Sequence, residues 1–489
     1  MTPQPNDPSD RARWLALYVL CTGMLMIVLD GTVVNVALTS IQDDLGFSAS
    51  SLAWVVNAYM IAFAGLLLLA GRLGDLVGRR RVLLGGLGLF TGASVLCGAA
   101  QTQEMLVAAR FLQGVGGALA SAVILGMIVT MFPEPRDQAK ALGVYGFVAS
   151  AGGSVGLVAG GVLTQAINWH WIFLINIPIG ILTAVLAVRL VPDDEGIGVR
   201  AGADVPGAVL ITSALMLAVF TVVQPAARHG WSSGQALGLG ALSVVLLVGF
   251  VVRQATAQRP LMALRLFRSR TTVGSNVVQM LSVAGMFGMF FLGSLYLQRI
   301  LGYDPLQIGL AFLPTTLVMG VLSLRYSGPL TLRYGARAML VTGLLLVVAG
   351  LALFTQAPVG GGYVADVLPV MVLVGIGGGV CFPALMTLAM STSSPSDAGL
   401  ASGLINTTAQ AGGALGLAVL ATLSASRTGD LLHGGGSELG ALNGGYHLAF
   451  WIAAGLVLTA ATVAATVMRP AADLPLRAPE EDLLAECAA

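Results

Sequence analysis

The sequence predicts an all-α membrane protein of fourteen transmembrane helices, arranged as two pseudo-symmetric six-helix bundles with two extra helices between them. Three observations lead there. Of 489 residues, 56% are hydrophobic and only 10% charged, where soluble domains carry about a quarter charged. Glycine contributes 64 residues, about twice its usual share of roughly 7%, and its missing side chain lets membrane helices approach one another. Apolar runs of about 20 residues, enough to cross a hydrocarbon core about 30 Å thick, recur between charged or Pro/Gly-rich breaks.

Taken in order, the first run starts at Trp14 after Arg11 and Arg13 and continues to Leu38, too long for a signal-peptide core, so it is kept as span 1. Spans 2 to 6 follow at 48–70, 82–100, 105–131, 138–163 and 171–191, and spans 7 and 8 at 205–223 and 235–252. After a basic connector come spans 9 to 14 at 271–297, 305–325, 338–356, 366–390, 399–423 and 447–468, then a polar acidic tail. The expected organisation is a first bundle over 1–191, the two extra helices over 192–253, the connector over 254–270, a second bundle over 271–468 and a tail over 469–489.

Cytoplasmic loops hold the excess of Lys and Arg. Of the 24 such residues, 20 collect on one side, Arg228, Arg299 and Arg427 on the other, and Arg110 inside span 4. An even span number with this partition predicts a multi-pass protein of the cell's inner membrane with both termini cytoplasmic.

Several classes are excluded early. A net charge of +1 gives no basic field for nucleic acid. The single lysine, Lys140, follows Ala139, so no G-x-x-x-x-G-K phosphate loop exists. Cys21, Cys97, Cys381 and Cys487 have no paired or metal-ligand spacing and read as packing residues. His170, His229, His433 and His447 are scattered near span edges, which argues against a membrane enzyme. No metal and no cofactor is expected.

The two bundles show in the sequence as a repeat. Gly71 to Arg80 between spans 2 and 3 is echoed by Gly328 to Arg337 between spans 10 and 11, 257 positions on. Gly114, Gly116 and Gly117 of span 4 return as Gly375, Gly377 and Gly378 of span 12, and the Gly152, Gly153, Gly156 pattern of span 5 as Gly412, Gly413, Gly416 of span 13, at offsets of 261 and 260. Three echoes in one order at nearly one offset make spans 1–6 and 9–14 two copies of one design. Secondary transporters are built this way, with substrate bound near the midplane between repeats.

The residues then resemble the major facilitator superfamily, in its fourteen-span drug:proton antiporter branch of multidrug and antiseptic efflux. The resemblance covers essentially the whole chain. It rests on Leu29 to Leu38 of span 1 with Asp30, Thr32 and Asn35, on the Gly71 to Arg81 loop, on Arg110, Gln113 and Gly114 of span 4, and on Trp169, His170, Trp171, Asn176, Pro178 and Gly180 entering span 6. Leu157 stands where the span 5 antiporter motif has Pro, Thr39 where the span 1 motif ends in Pro, and Leu76 where an Arg is common in the family loop.

Asp30 is the only acid placed deep in a span, and an intramembrane ionisable group is costly unless it faces a cavity or a partner. Two readings stand: a proton carrier whose affinity changes as its surroundings open and close, or an Asp fixed to a helix end or to Arg110. Arg110 is the only basic residue within a span, and its counterpart in the second half is Met371. The resemblance implies that spans 1 and 4 border the central cavity and that Arg110 adjusts proton binding at Asp30; the alternative is an Arg neutralised for packing. Asp75, near the opening of span 3, reads as a carboxylate stabilised by free N–H groups and the macrodipole. The family reading adds a conformational latch made of Gly71, Asp75, Gly78, Arg79 and Arg80.

In span 5, Gly152, Gly153, Gly156, Gly160 and Gly161 serve either tight packing or a helix that slides against a neighbour. Asn276, Gln279, Met280, Phe287 and Phe290 share one face of span 9 at helical spacing, a mixed stripe suited to amphipathic molecules and equally compatible with plain core. Trp54, Asn57 and Tyr59 of span 2 and Gln113 of span 4 join them as substrate-cavity candidates. The expected function is proton-coupled export of hydrophobic or amphipathic, preferentially cationic small molecules by alternating access, with protons and the lipid bilayer as the other partners and a monomer as the working unit. A dedicated exporter of one self-made metabolite, antibiotic or lipid is the first alternative. A non-transporting membrane sensor or scaffold is the second, and it would need no buried Asp.

Overall fold

The computed structural model describes residues 10–48, 51–132, 134–194, 204–223, 232–257, 269–391 and 398–468, with isolated positions between them. Among these residues all regular structure is helical, and a helix occupies each of the fourteen expected stretches. In the first half these are α1 (Asp10–Leu45), α2 (Trp54–Val77), α3 (Arg79–Gly98), α4 (Gln103–Met131), α5 (Pro135–Ala166) and α6 (Trp171–Leu190). They are followed by α7 (Val205–Thr221) and α8 (Gly234–Thr256). The second half contains α9 (Arg270–Arg299), α10 (Pro305–Val321), α11 (Ala336–Phe354), α12 (Leu368–Ser391), α13 (Ala398–His433) and α14 (Glu438–Thr466). Most of the basic connector and the whole tail from 469, with Cys487, lie outside the described residues.

Among the described residues eleven helices are long and apolar enough to cross a membrane, and twelve if α2, bent by 50° between Leu67 and Leu69, is one span. The remaining two are α7 and α5, of which the described residues give shorter apolar helices, Val205–Thr221 and Val155–Ala166. The 17 residues of α7 rise only about 26 Å, short of a core about 30 Å thick. Elsewhere helices outrun their apolar runs: α1 starts at Asp10, and α13 continues past residue 423 to His433. Helical hydrogen bonding continues into water, whereas hydropathy stops at the interface.

Local sequence explains the helix starts. Thr102, Ser233, Ser269 and Ser437 accept N–H bonds at the first turns of α4, α8, α9 and α14, and Asp304 with Gln307 forms a capping box ahead of Pro305 on α10. Asp204 accepts from Gly207 N–H at the start of α7 and from Arg253 and Gln254 at the end of α8, pinning one end of that hairpin. Burial pushes the Asp204 carboxyl up, but these donors outweigh it and hold it below the usual carboxylate range.

The repeat is visible in the packing. In the first half α1 packs on α5 and α6, α2 and α3 on α4, and α3 on α6; in the second, α9 packs on α13 and α14, α10 and α11 on α12, and α11 on α14. The halves meet through α5 on α10 and α2 on α13, a pair of contacts exchanged by the same two-fold relation. The helices α7 and α8 pair with each other, and α7 rests on α2 and α13. Gly78 (φ +104°) and Gly335 (φ +85°) occupy equivalent turns before α3 and α11. Both adopt the left-handed region open to glycine, which explains why this Gly recurs in the loop motif.

Candidate functional site

Five helices of the first half converge on Asp30 of α1. The carboxylate is fully buried, 0% exposed, and Arg110 of α4 is 1% exposed. Arg110 Nη1 donates to Asp30 Oδ2 at 2.5 Å and to Gln113 Oε1 at 2.7 Å, and its Nε donates to the carbonyl of Val55 on α2 at 2.9 Å. Gln113, one turn along α4, donates to Asp30 Oδ1 at 2.7 Å and to Ser94 Oγ of α3 at 2.9 Å. Asn176 of α6 donates to Asp30 Oδ1 at 2.9 Å. The guanidinium lies 4.5 Å from the ring centroid of Tyr59 and 5.7 Å from that of Phe173, within cation–π range.

The equivalent place in the second half is uncharged. Gly375 meets the carbonyl of Thr315 as Gly114 meets that of Tyr59, which pairs Tyr59 with Thr315. In place of a guanidinium over an aromatic ring, Thr315 Oγ1 donates to Met371 Sδ at 3.1 Å. One half thus carries a buried ion pair and its copy a neutral contact.

The loop between α2 and α3 has a different cap from the one expected. Asp75 lies in the last turn of α2, 3.3 Å from Arg79 Nη2. The free N–H groups of Arg79 and Arg80 at the start of α3 donate instead to Asp194 Oδ2 and Oδ1, at 2.9 and 3.1 Å, from the segment after α6. The side chain of Arg79 also donates to Gly126 O of α4, and that of Arg80 to Val188 O of α6. The reason is geometric: Gly78 turns the chain so that the N–H groups of α3 point away from the helix that carries Asp75. At the opposite face Arg299, ending α9, ion-pairs with Asp43 at 2.5 Å and donates to Gln42 at 3.2 Å near the end of α1.

The α5 glycines divide by neighbour. Gly152 lies on Leu25 and Val28, Gly156 on Leu29 and Thr32, and Gly160 on Val33, all of α1. A side chain on Gly161 would instead come within 2.6 Å of Pro305 O and 2.7 Å of Leu306 Cα on α10, across the boundary between halves. Gly153 has only Thr32 Cγ2, at 4.0 Å.

The cavity candidates separate as well. Gln113 and Tyr59 belong to the Asp30 cluster. Trp54 and Asn57 are buried on α2, with both polar atoms of Asn57 unpaired among the described residues. Asn276 donates to Thr272 O and accepts from Thr408 Oγ1, which ties α9 to α13. Gln279, Phe287 and Phe290 are half-buried and Met280 is 36% exposed, and Phe290 packs on Phe312 of α10.

The model of the Major Facilitator Superfamily matches residues 20–417, and again 276–488. The chain belongs to the major facilitator superfamily. It is 39% identical to the puromycin resistance protein pur8 of Streptomyces alboniger over 461 residues, covering 93% of this chain and 91% of that one. It is 40% identical to the cephamycin export protein CmcT of Amycolatopsis lactamdurans over 416 residues, 84% of this chain and 85% of that one. In fold it is similar to a bacterial homologue of the human lysosomal transporter Spinster, with a TM-score of 0.67 at 14% identity over 94% of this chain and 97% of that one. These relatives set the chain in the drug-efflux branch of the superfamily, as a multi-pass membrane protein.

Within this superfamily member the sequence missed three partners. Asn176 was visible as an amide in an apolar helix, but nothing local links it to Asp30, 146 positions earlier. Asp194 and the Asp43–Arg299 pair sit in loops or at helix ends, where carboxylates are common and no spacing distinguishes them.

Proposed function

We propose that this chain is a proton-coupled exporter of hydrophobic or amphipathic small molecules, working by alternating access between two six-helix halves, with fourteen spans and both termini cytoplasmic. The observation that carries the reading is the buried Asp30–Arg110 pair with its two amide donors in one half only. Protonating Asp30 leaves Arg110 an uncompensated buried charge, and breaking a buried pair costs about 3–5 kcal/mol. That is roughly a hundred- to several-thousandfold in a two-state equilibrium, so proton occupancy can drive a change in helix packing. In this orientation α1 and α9 end at the outer surface, where the Arg299–Asp43 pair and the α5–α10 seam hold the halves together.

Export is supported by relatives whose names are those of antibiotic resistance and export proteins. The decisive experiment is uncoupler-sensitive dye export by Asp30→Asn in everted vesicles: export vanishes while the protein remains folded. Continued export against a gradient makes Asp30 structural and overturns proton coupling through it. The orientation is tested by cysteine labelling at Ser269, which occurs from the cytoplasmic side only.

A second reading, a dedicated exporter of one antibiotic, is favoured by the names of pur8 and CmcT, each of which carries a single compound or compound class. A resistance panel separates the two: protection confined to one chemical scaffold supports the dedicated exporter.

A further inference from the structure

The flank of the second half where α10 passes α12 carries an open groove of about 430 Å³ lined by the aliphatic side chains of Leu317, Val318, Val321, Leu322, Val372 and Ile376. The glycines of α12 create it. Gly375 and Gly379 bring α12 so close to α10 that a Cβ there would lie 2.7 Å from Thr315 O and 2.8 Å from Met319 O, while Val372 and Ile376 stand beside them on the groove wall. Leu317 and Val321 are half exposed, so in a membrane the groove opens towards lipid chains.

Directly after Val321 the helix widens into a π-helical stretch, Leu322–Tyr326. Arg325 lies in that stretch, one turn beyond Val321 on the same side. It is exposed and makes no hydrogen bond or ion pair among the described residues. From Pro305 to Arg325 the chain advances twenty residues, which rise about 30 Å, the thickness of the hydrocarbon core. Arg325 therefore falls at headgroup level, one turn beyond the end of the helical stretch that lines the groove.

An apolar groove open to the lipid side, followed one turn on by an exposed, unpaired cation at headgroup depth, matches one ligand chemistry. We propose that this groove binds an anionic phospholipid of the cytoplasmic leaflet, with an acyl chain between α10 and α12 and the phosphate on Arg325. Guanidinium pairs with phosphate by charge-assisted hydrogen bonds, and cytoplasmic-leaflet anionic lipids attract Lys and Arg near the surface. The leaflet assignment rests on the orientation proposed above; the site itself rests on the groove and Arg325.

The test uses the full-length purified protein in detergent, titrated with phosphatidylglycerol or phosphatidylcholine, with thermal unfolding and native mass spectrometry as readouts. Phosphatidylglycerol raises Tm and remains bound as a single copy, and phosphatidylcholine does neither. Arg325→Gln removes the headgroup contact and Leu317→Trp, at an exposed position, fills the slot; each weakens phosphatidylglycerol binding at least tenfold. Equal binding of phosphatidylcholine, wild-type binding by either variant, or the same stabilisation by inorganic phosphate alone overturns the proposal. Because the readout is binding, loss of the export function in a separate assay leaves this result intact, and the two readings fail independently.

Discussion

Asn176 donates its side-chain N–H to Oδ1 of Asp30 at 2.9 Å, joining α6 to α1 across 146 positions of sequence. Asp30 thereby receives donors from three side chains, Arg110, Gln113 and Asn176. A hydrogen bond to a charged group contributes about 1.5–3 kcal/mol.

Replacing Asn176 with Leu keeps the volume and removes one of those donors. Unfolding in detergent is expected to lose about 1.5–3 kcal/mol, read from the midpoint of chemical denaturation. Asn176→Asp, which sets a second carboxylate beside Asp30, is expected to lose more. Wild-type stability in both variants shows that Asn176 does not support the ion pair.

Asp194 accepts from the backbone N–H groups of both Arg79 and Arg80. Asp194→Ala leaves two N–H groups of α3 unpaired and is expected to cost about 0.5–2 kcal/mol, the range for loss of a helix N-cap. Asp75→Ala, which faces only the half-exposed Arg79 pair, is expected to cost under about 1 kcal/mol. A larger loss at Asp75 than at Asp194 restores the capping role to Asp75.

The glycines of α5 give a graded series. Gly161→Ala places a methyl group against the α10 backbone at the seam between halves, whereas Gly153→Ala meets only Thr32 Cγ2, at an ordinary 4.0 Å. At equal protein level, export by Gly161→Ala is expected to fall several-fold and that of Gly153→Ala to stay at the wild-type value. Equal export by the two variants means that the seam does not need to close this tightly.

If the chain exports cations as proposed, a preference by charge is expected from the placement of its acids. Asp304 caps α10, and Asp366 accepts from Gly362 N–H, so both are occupied at helix starts. Asp204 is likewise held by Arg253 and Gln254. A dication in a low-dielectric cavity with no second carboxylate carries an uncompensated charge. Matched quaternary ammonium compounds in a pump-deficient host are expected to show protection against the monovalent series over the divalent one. Equal protection shows that another acid reaches the pathway.

The sequence by itself determined the membrane-spanning helical class, the two-fold repeat and the identity of Asp30 and Arg110 as the acid and base set deep within spans. These follow from composition and from periodicity, which are properties of the chain read along its length. Gly78 and Gly335 show how far such reading goes: the motif offset of 257 predicts equivalent turns, and both turns take the same left-handed backbone. Only the tertiary structure decided that Gln113 and Tyr59 gather around Arg110, that Asp194 and not Asp75 caps α3, and that among Gly152, Gly153, Gly156, Gly160 and Gly161 it is Gly161 that touches the other half. Each of these depends on which side of a helix meets which neighbour across more than a hundred residues. Hydropathy cannot report that choice in a membrane protein, because lipid-facing and helix-facing surfaces are both apolar and leave the same pattern in the sequence.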